Sequence, residues 1–426
     1  MNGLLNFYLK KIITKGAFRL TDAKGEVHEF GDATGTPVHI RINSAKAERQ
    51  IAFNPGLKFA ECYMNGEVDI LEGDIYAVLA LVFANAGTNV SRQPWMQAVE
   101  MARLTVRKFV QHNTPFRARR NVHHHYDLSR KLYDLFLDSD RQYSCAYFEH
   151  ADDDLETAQL AKKRHIAAKL KLDAPDLKVL DIGCGWGGLG LYLADRAGAD
   201  VTGITLSEEQ LLGARERADA AGVTDKVQFE LKDYRAVEGS FDRIVSVGMF
   251  EHVGPDYYDD YFRHALRLMK DDGVMLMHTI GCWGIPTNTN AFIGKYIFPG
   301  GYLPALSQIM SAVQKAGLIV TDVEVLRLHY AETLKAWRER FTARRDEAKA
   351  IYDERFCRMW EFYLAASECS FRYQDYCVFQ LQLAKRVSTL PITRDYIFDA
   401  EQTMRAKDRG ILSANAGRTP EQVAIA

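Results

Sequence analysis

Val179-Leu180-Asp181-Ile182-Gly183-Cys184-Gly185-Trp186-Gly187-Gly188 reads as a short apolar strand that runs into an acid and then a glycine-rich turn. Leu189 to Ala197 continues with helical spacing. A strand, a glycine turn and a helix form half of a nucleotide-binding unit, because glycine adopts torsions other residues avoid and lets the backbone approach a ligand. Gly183, Gly185 and Gly188 fit G-x-G-x-x-G, a weak pattern by itself. A dinucleotide site also needs an acid where the next strand ends. That strand ends Gly203-Ile204-Thr205-Leu206-Ser207, with none; Glu208 and Glu209 come later, on the next helix.

Outward from this stretch, strands and helices alternate. Strands are expected over 179–182, 201–205, 227–231, 241–247 and 273–280, with helices over 189–196, 207–221 and 257–269. This order predicts an α/β fold with a doubly wound, mostly parallel sheet. Helical insertions follow Gly281, residues 330–384 read as almost entirely helical, and a small, polar tail is expected to fray after Arg405. Before the sheet, residues 4–15 form a basic amphipathic helix, with short strands at 17–20, 27–30 and 38–42 and helical pattern over 57–90. The predicted organisation is a small α+β domain (1–95), a basic helical linker (96–122), a catalytic domain (123–390) and a C-terminal tail (391–426).

A chain of 426 residues exceeds one ordinary core, which agrees with two domains. The net charge of −2 names no partner, and nothing points to nucleic acid. Local charge is more informative: residues 1–21 and 101–126 carry Lys and Arg and no acid, which suits a solvated face or an anionic surface such as lipid head groups. Seven scattered cysteines without C-x-x-C argue for a reduced cytosol and against a disulfide framework or a zinc site. His123, His124 and His125 are adjacent on a helical pattern and point in different directions, so no metal site is expected. No apolar run approaches the ~20 residues needed to span a bilayer.

The chemistry gathers at strand ends. Asp181 is placed to hold a polar or cationic part of a ligand, Thr205 and Gln210 to hydrogen-bond it, and Asp233 and Tyr234 to meet an adenine edge and face. The Asp-x-Gly-x-Gly turn matches S-adenosylmethionine-dependent methyltransferases better than dinucleotide enzymes. The fourth strand ends Gly248-Met249-Phe250-Glu251-His252, a carboxylate among apolar neighbours where a methyl acceptor sits in such folds. Glu251 is either a functional acid or one favoured by a helix N-terminus. His278 ends the fifth strand, which brings it near Glu251 in a sheet of this order; Cys145 lies in an aromatic loop without a cationic activator.

NVHHHYDLS (121–129), YSCAYF (143–148), LDIGCGWGG (180–188), GITLSEEQ (203–210), GMFEHVG (248–254), HTIG (278–281) and KYIFPGGYLP (295–304) together resemble the cyclopropane-fatty-acid synthase family, which includes the mycolic-acid cyclopropane synthases. GLKFAECYMNGEVDI (56–70) resembles the extra lipid-binding domain of the bacterial members, with Gly66-Glu67-Val68-Asp69 in place of their G-W-W-D. The resemblance implies a class I methyltransferase fold with a seven-stranded sheet. It also implies that the cis double bond of a phospholipid acyl chain attacks the methyl of S-adenosylmethionine. Loss of a proton from the added methyl, taken by bound bicarbonate, then closes a ring. By resemblance, Glu251, His278, Tyr330 and backbone around Cys145 and Ile280 hold the bicarbonate. Tyr143, Ser144, Gly183, Gly185, Thr205, Leu206, Gln210 and Tyr234 hold the cofactor. Tyr147, Phe148, Phe250, Trp337, Phe341, Trp360, Phe362 and Tyr363 are candidates to line an acyl tunnel or simply to fill the core. A cytoplasmic homodimer working at the inner face of the membrane is the expected setting. Methyl branching in place of a ring, and a silent lipid-binding protein, are the competing readings.

Overall fold

The computed structural model describes residues 1–87, 128–284, 286 and 289–415, with residues 409–415 by backbone alone. The basic linker at 96–122, His123 to Asp127 and the last eleven residues lie outside these. The described residues form two units, each around its own sheet. One comprises residues 1–87, 289–299 and 330–376; the other comprises 128–284, 286, 300–329 and 377–415. Contiguous boundaries at 95 and 390 were expected from sequence, and the chain instead returns twice to the first unit.

In the first unit, alternation builds four short strands: β1 Phe18–Thr21, β2 Val27–Phe30, β3 Val38–Ile42 and β4 Val68–Glu72, in the order β2-β1-β3-β4. Phe18, Leu20, Val38, Ile40 and Ile42 point to one face and are buried. β4 interrupts the stretch read as helical, between helices Pro55–Met64 and Ile75–Ala86, because Gly66 turns the chain with φ +73 and Val68 to Ile70 then pairs with β3. The late segments return to cover these helices. Helix Glu354–Tyr373 packs on both, and Phe362 meets Phe59 and Phe292 at ring distances of 6.2 and 4.9 Å. Lys295 Nζ and Tyr296 Oη donate to the same Glu61 oxygen at 2.6 and 2.9 Å. No local pattern foreshadows such pairings, which span from 70 to about 300 residues.

The second unit is a seven-stranded sheet flanked by helices: β5 Lys178–Ile182, β6 Asp200–Thr205, β7 Val227–Leu231, β8 Phe241–Val247, β9 Met269–Cys282, β10 Ile319–Leu326 and β11 Tyr376–Ala384. The order is β10-β11-β9-β8-β5-β6-β7. β5 pairs in parallel with β6 and β8, and β10 pairs antiparallel with β11. The expected doubly wound sheet is therefore present. β11 corrects the reading of 330–384 as helical: Phe379-Gln380-Leu381-Gln382-Leu383 alternates with strand period, and eight of the nine residues of β11 are buried. Residues 395–415 are helical where the sequence suggests a tail. Helix Asp395–Asn415 packs on helix Leu155–Lys169, where Asp408 takes Arg164 at 2.7 Å and Tyr192 Oη at 3.2 Å. Arg405 reaches Glu149 at 2.8 Å.

Candidate active site

The carboxyl ends of β5, β6 and β8 open on one cleft that is partly open to solvent. Tyr143, Ser144, Asp181, Gly183, Gly185, Thr205, Leu206, Gln210, Asp233 and Tyr234 all line it. Gly183 has φ +84, and a Cβ there would lie 2.9 Å from that of Met249; Gly185 has φ +56 with no protein atom within 4 Å of its missing Cβ. Both therefore need glycine, the first for packing and the second to leave backbone open to a ligand. Asp181 is buried and its Oδ2 makes no hydrogen bond; burial pushes its carboxyl up to about 7, against an opposing pull from Lys162. Thr205 Oγ1 donates to Gln210 Oε1 at 3.0 Å, which leaves the Gln210 amide NH₂ as a donor. Asp233 lines the cleft and is held by Arg235 through two contacts of 2.8 Å, which keep it ionised and oriented. The Tyr234 ring meets Tyr261 edge-on at 5.3 Å beside it.

Lys162, on helix Leu155–Lys169, supports one wall of this cleft. It is 1% exposed and donates to Gln142 Oε1 at 2.7 Å and Ser144 Oγ at 2.8 Å. Gln159 Nε2 donates to the carbonyls of Gln142 and Ser144. The two side chains hold the loop that carries Tyr143, Ser144 and Cys145. Burial pulls the Lys162 ammonium down to about 8. Cys145 is buried, with Sγ 3.2 Å from the Ala146 carbonyl.

Next to the cleft, β8 runs into a short turn, Phe250–His252, that carries Glu251. The Gly248 N–H donates to the His278 carbonyl at 2.9 Å and so ties the turn to β9. Glu251 Oε1 accepts from the Ile280 N–H at 2.6 Å, while Oε2 is buried and makes no hydrogen bond. Burial raises this carboxyl to about 7. His278 lies two residues earlier on β9, so its side chain shares a face with that of Ile280. It is 2% exposed, its Nδ1 is 3.2 Å from Gln380 Nε2, and its Nε2 makes no hydrogen bond. Burial, reinforced by Lys162 and Lys169, holds the imidazole well below its usual pKa and hence neutral. The Ile280 N–H, part of the backbone expected around a bound ion, donates to Glu251.

A family model described as mycolic acid cyclopropane synthetase matches residues 113–381. The chain belongs to the mycolic acid cyclopropane synthetase family. A second model, described as a domain of unknown function, matches residues 5–94. The chain is 45% identical over 263 residues to the cyclopropane-fatty-acyl-phospholipid synthase of Escherichia coli, covering 62% of this chain and 67% of that one. It spans about two thirds of the length of the first bacterial relatives it matches. To the tuberculostearic acid methyltransferase of Mycobacterium tuberculosis it is 36% identical over 395 residues, covering 90% and 91%. A crystal structure of a mycolic acid cyclopropane synthase complexed with SAH and CTAB aligns with a TM-score of 0.59 at 35% identity, covering 62% of this chain and 97% of that one. The fold is that of the class I S-adenosylmethionine-dependent methyltransferases, and the protein is an enzyme of that class.

The remaining residues that the family resemblance singles out are divided between the units. Tyr330 belongs to the first, where its ring packs on Trp337 at 5.8 Å and Phe371 at 4.8 Å. Trp337, Phe341, Trp360, Phe362 and Tyr363 are buried in the same unit. In the second, Phe250 stacks on Tyr258 at 4.3 Å, and Tyr147 is sandwiched between His165 and His329 at 4.2 and 5.0 Å. Lys162, Trp186 and Gln380 are the site residues that sequence reasoning missed. Trp186 lies between Gly185 and Gly187 in the glycine turn, under the guanidinium groups of Arg130 and Arg141.

Proposed function

We propose that this member of the family transfers a methylene from S-adenosylmethionine to the cis double bond of unsaturated phospholipid acyl chains and closes a cyclopropane ring. The observation that carries the reading is the buried pair at the ends of β8 and β9. Glu251 Oε2 and His278 Nε2 are both shielded from water and both lack a partner within the protein. Orphaned buried polar atoms are costly, so native sites keep them for a ligand or for chemistry.

The donor set fits both absent groups. For S-adenosylmethionine, the open backbone at Gly185, the Gln210 amide and the Asp181 carboxyl offer space, a donor and a partner for an ammonium group. For bicarbonate, Glu251 Oε2 would offer an acceptor for its hydroxyl and His278 Nε2 a contact for an oxygen. When bound, S-adenosylmethionine supplies an electrophilic methyl group and bicarbonate a base. The protein's own contribution is alignment and dryness, because an alkene is a weak nucleophile and water would trap a cation. Lys162 and Gln159 hold the Tyr143–Cys145 loop in place, and Phe250, the residue before Glu251, stacks on Tyr258 in the core. Burial keeps Glu251 near half-protonated at neutral pH, which limits repulsion of a neighbouring anion.

Membrane contact belongs to the same proposal. Helix Gly3–Ile12 buries Leu5 and leaves Leu4 and Phe7 exposed next to exposed Lys10 and Lys11. This apolar and basic combination suits an anionic bilayer surface on the cytoplasmic side. Among the described residues no helix is long and apolar enough to cross a membrane. A second reading, transfer that ends in a methyl branch, is favoured by the alignment with the tuberculostearic acid methyltransferase, which extends through the N-terminal block. The test is incubation with S-adenosylmethionine and monounsaturated phospholipid vesicles. Mass spectrometry should find one added CH₂ per double bond; unchanged lipid would overturn the proposal.

A further inference from the structure

Gln380 lies on β11, beside β9, with its amide between two buried groups. Its Oε1 accepts from Lys169 Nζ at 3.0 Å, and its Nε2 is 3.2 Å from His278 Nδ1. Lys169 and Gln380 are both 0% exposed. An ammonium group has only protons to offer, so the amide oxygen must face Lys169 and the NH₂ must face His278. Lys169 is itself anchored: Glu324 takes its Nζ, Asp322 lies 3.5 Å away, and Gln382 Nε2 donates to its carbonyl. Glu324 also meets His165 Nε2 at 2.7 Å. Against this fixed amide the His278 ring has one option. Nδ1 accepts from Gln380, and a neutral ring then carries its single proton on Nε2, the nitrogen without a partner in the protein.

We propose that Gln380 is a positioning residue that locks His278 as the Nε2–H tautomer, so that His278 donates a hydrogen bond into the site and does not take a proton there. The assignment deepens the proposed function and rests on it for the identity of the site. Within the pair it separates two roles: His278 donates, and Glu251 Oε2 is the atom left to accept. The glutamine is invisible as a site residue in sequence because it sits in a strand that is buried on both faces.

The test uses the full-length protein labelled with ¹⁵N-histidine, with the His278 signals assigned by their loss in His278→Gln. Long-range ¹H–¹⁵N spectra should show His278 with a bare Nδ1 and a protonated Nε2. In Gln380→Glu the carboxylate would draw a proton onto Nδ1. There kcat should fall about tenfold to a hundredfold, the usual cost of losing the partner that orients a functional histidine. The KM for S-adenosylmethionine should hold. Gln380→Met removes the hydrogen bonds with little change of volume, and it should yield mixed tautomers and an intermediate kcat. A wild-type His278 protonated on Nδ1 would overturn the proposal, as would an unchanged tautomer or undiminished kcat in both variants. The spectra are independent of turnover. Protein that shows the Nε2–H tautomer but leaves phospholipid unmodified would refute the proposed function alone.

Discussion

Glu251 and Ile280 meet where β8 and β9 end, with the carboxylate Oε1 taking the Ile280 N–H at 2.6 Å. One oxygen is thereby fixed to the backbone of the neighbouring strand, and the other is presented without a partner.

Replacing Glu251 with Gln keeps an oxygen for the Ile280 N–H and puts an NH₂ donor where Oε2 would accept from the bicarbonate hydroxyl. Turnover should fall about 10²–10⁴-fold, the usual range for losing acid–base catalysis, because the bound base would lose its hold. Affinity for S-adenosylmethionine should persist, since Glu251 does not line the cofactor cleft. Steady-state kinetics beside calorimetric titration would separate the two, and normal turnover would remove Glu251 from the chemistry.

The same substitution should stabilise the fold. Burial raises Glu251 from 4.5 to about 7, so the folded state binds the proton more tightly than the unfolded state does. Wild-type stability is therefore full below the unfolded pKa and declines as pH rises through the folded one. Glu251→Gln escapes this decline. Its advantage should grow from about pH 5 to about pH 8 and reach at most about 3 kcal/mol. Urea unfolding across that range would measure it; a constant difference would mean that the carboxyl is not buried as described.

Asp181 links cofactor affinity to pH. Its carboxyl stands at about 7 in the open cleft, and a cationic ligand beside it favours the ionised form. Binding of S-adenosylmethionine should then release a proton, and affinity should rise as pH climbs through about 7, by at most about tenfold per unit. Titration calorimetry in buffers of different ionisation enthalpy reads the proton directly. Asp181→Asn should flatten the profile and weaken binding.

Deleting the first ninety residues would be a poor test of membrane contact, because it strips partners from Phe362, Lys295 and Tyr296. Substitution of exposed side chains avoids this. Phe7→Glu with Lys10→Glu and Lys11→Glu should weaken binding to anionic vesicles at least tenfold, given about 1 kcal/mol per basic residue near such a surface. Turnover on detergent-dispersed lipid should stay as it is. Undiminished vesicle sedimentation would deny this helix a membrane role.

What was legible in the sequence is what local pattern encodes. The Asp181 to Gly188 turn, the Thr205–Gln210 spacing and the Phe250–His252 turn are continuous stretches at strand ends, and an alternating β/α order carries strand ends to one edge. Glu251 and His278 were readable for the same reason. Lys162 and Lys169 were not, because lysine on a helix normally signals a solvated face, and only the fold reveals both as buried. Gln380 was hidden because a glutamine that alternates with apolar residues reads as the solvent face of a strand, and only the fold shows it buried. The C-terminal helix was taken for a tail because its anchors, Asp408 on Arg164 and Arg405 on Glu149, pair residues more than two hundred positions apart.

The most direct measurement is the proton NMR spectrum of phospholipid recovered after reaction of the wild-type protein with S-adenosylmethionine and monounsaturated vesicles. The expected result is loss of the vinyl protons and appearance of the upfield methylene pair of a cyclopropane ring. A methyl or methylene branch in its place, or intact vinyl protons with the cofactor bound, would contradict ring closure at the Glu251–His278 site.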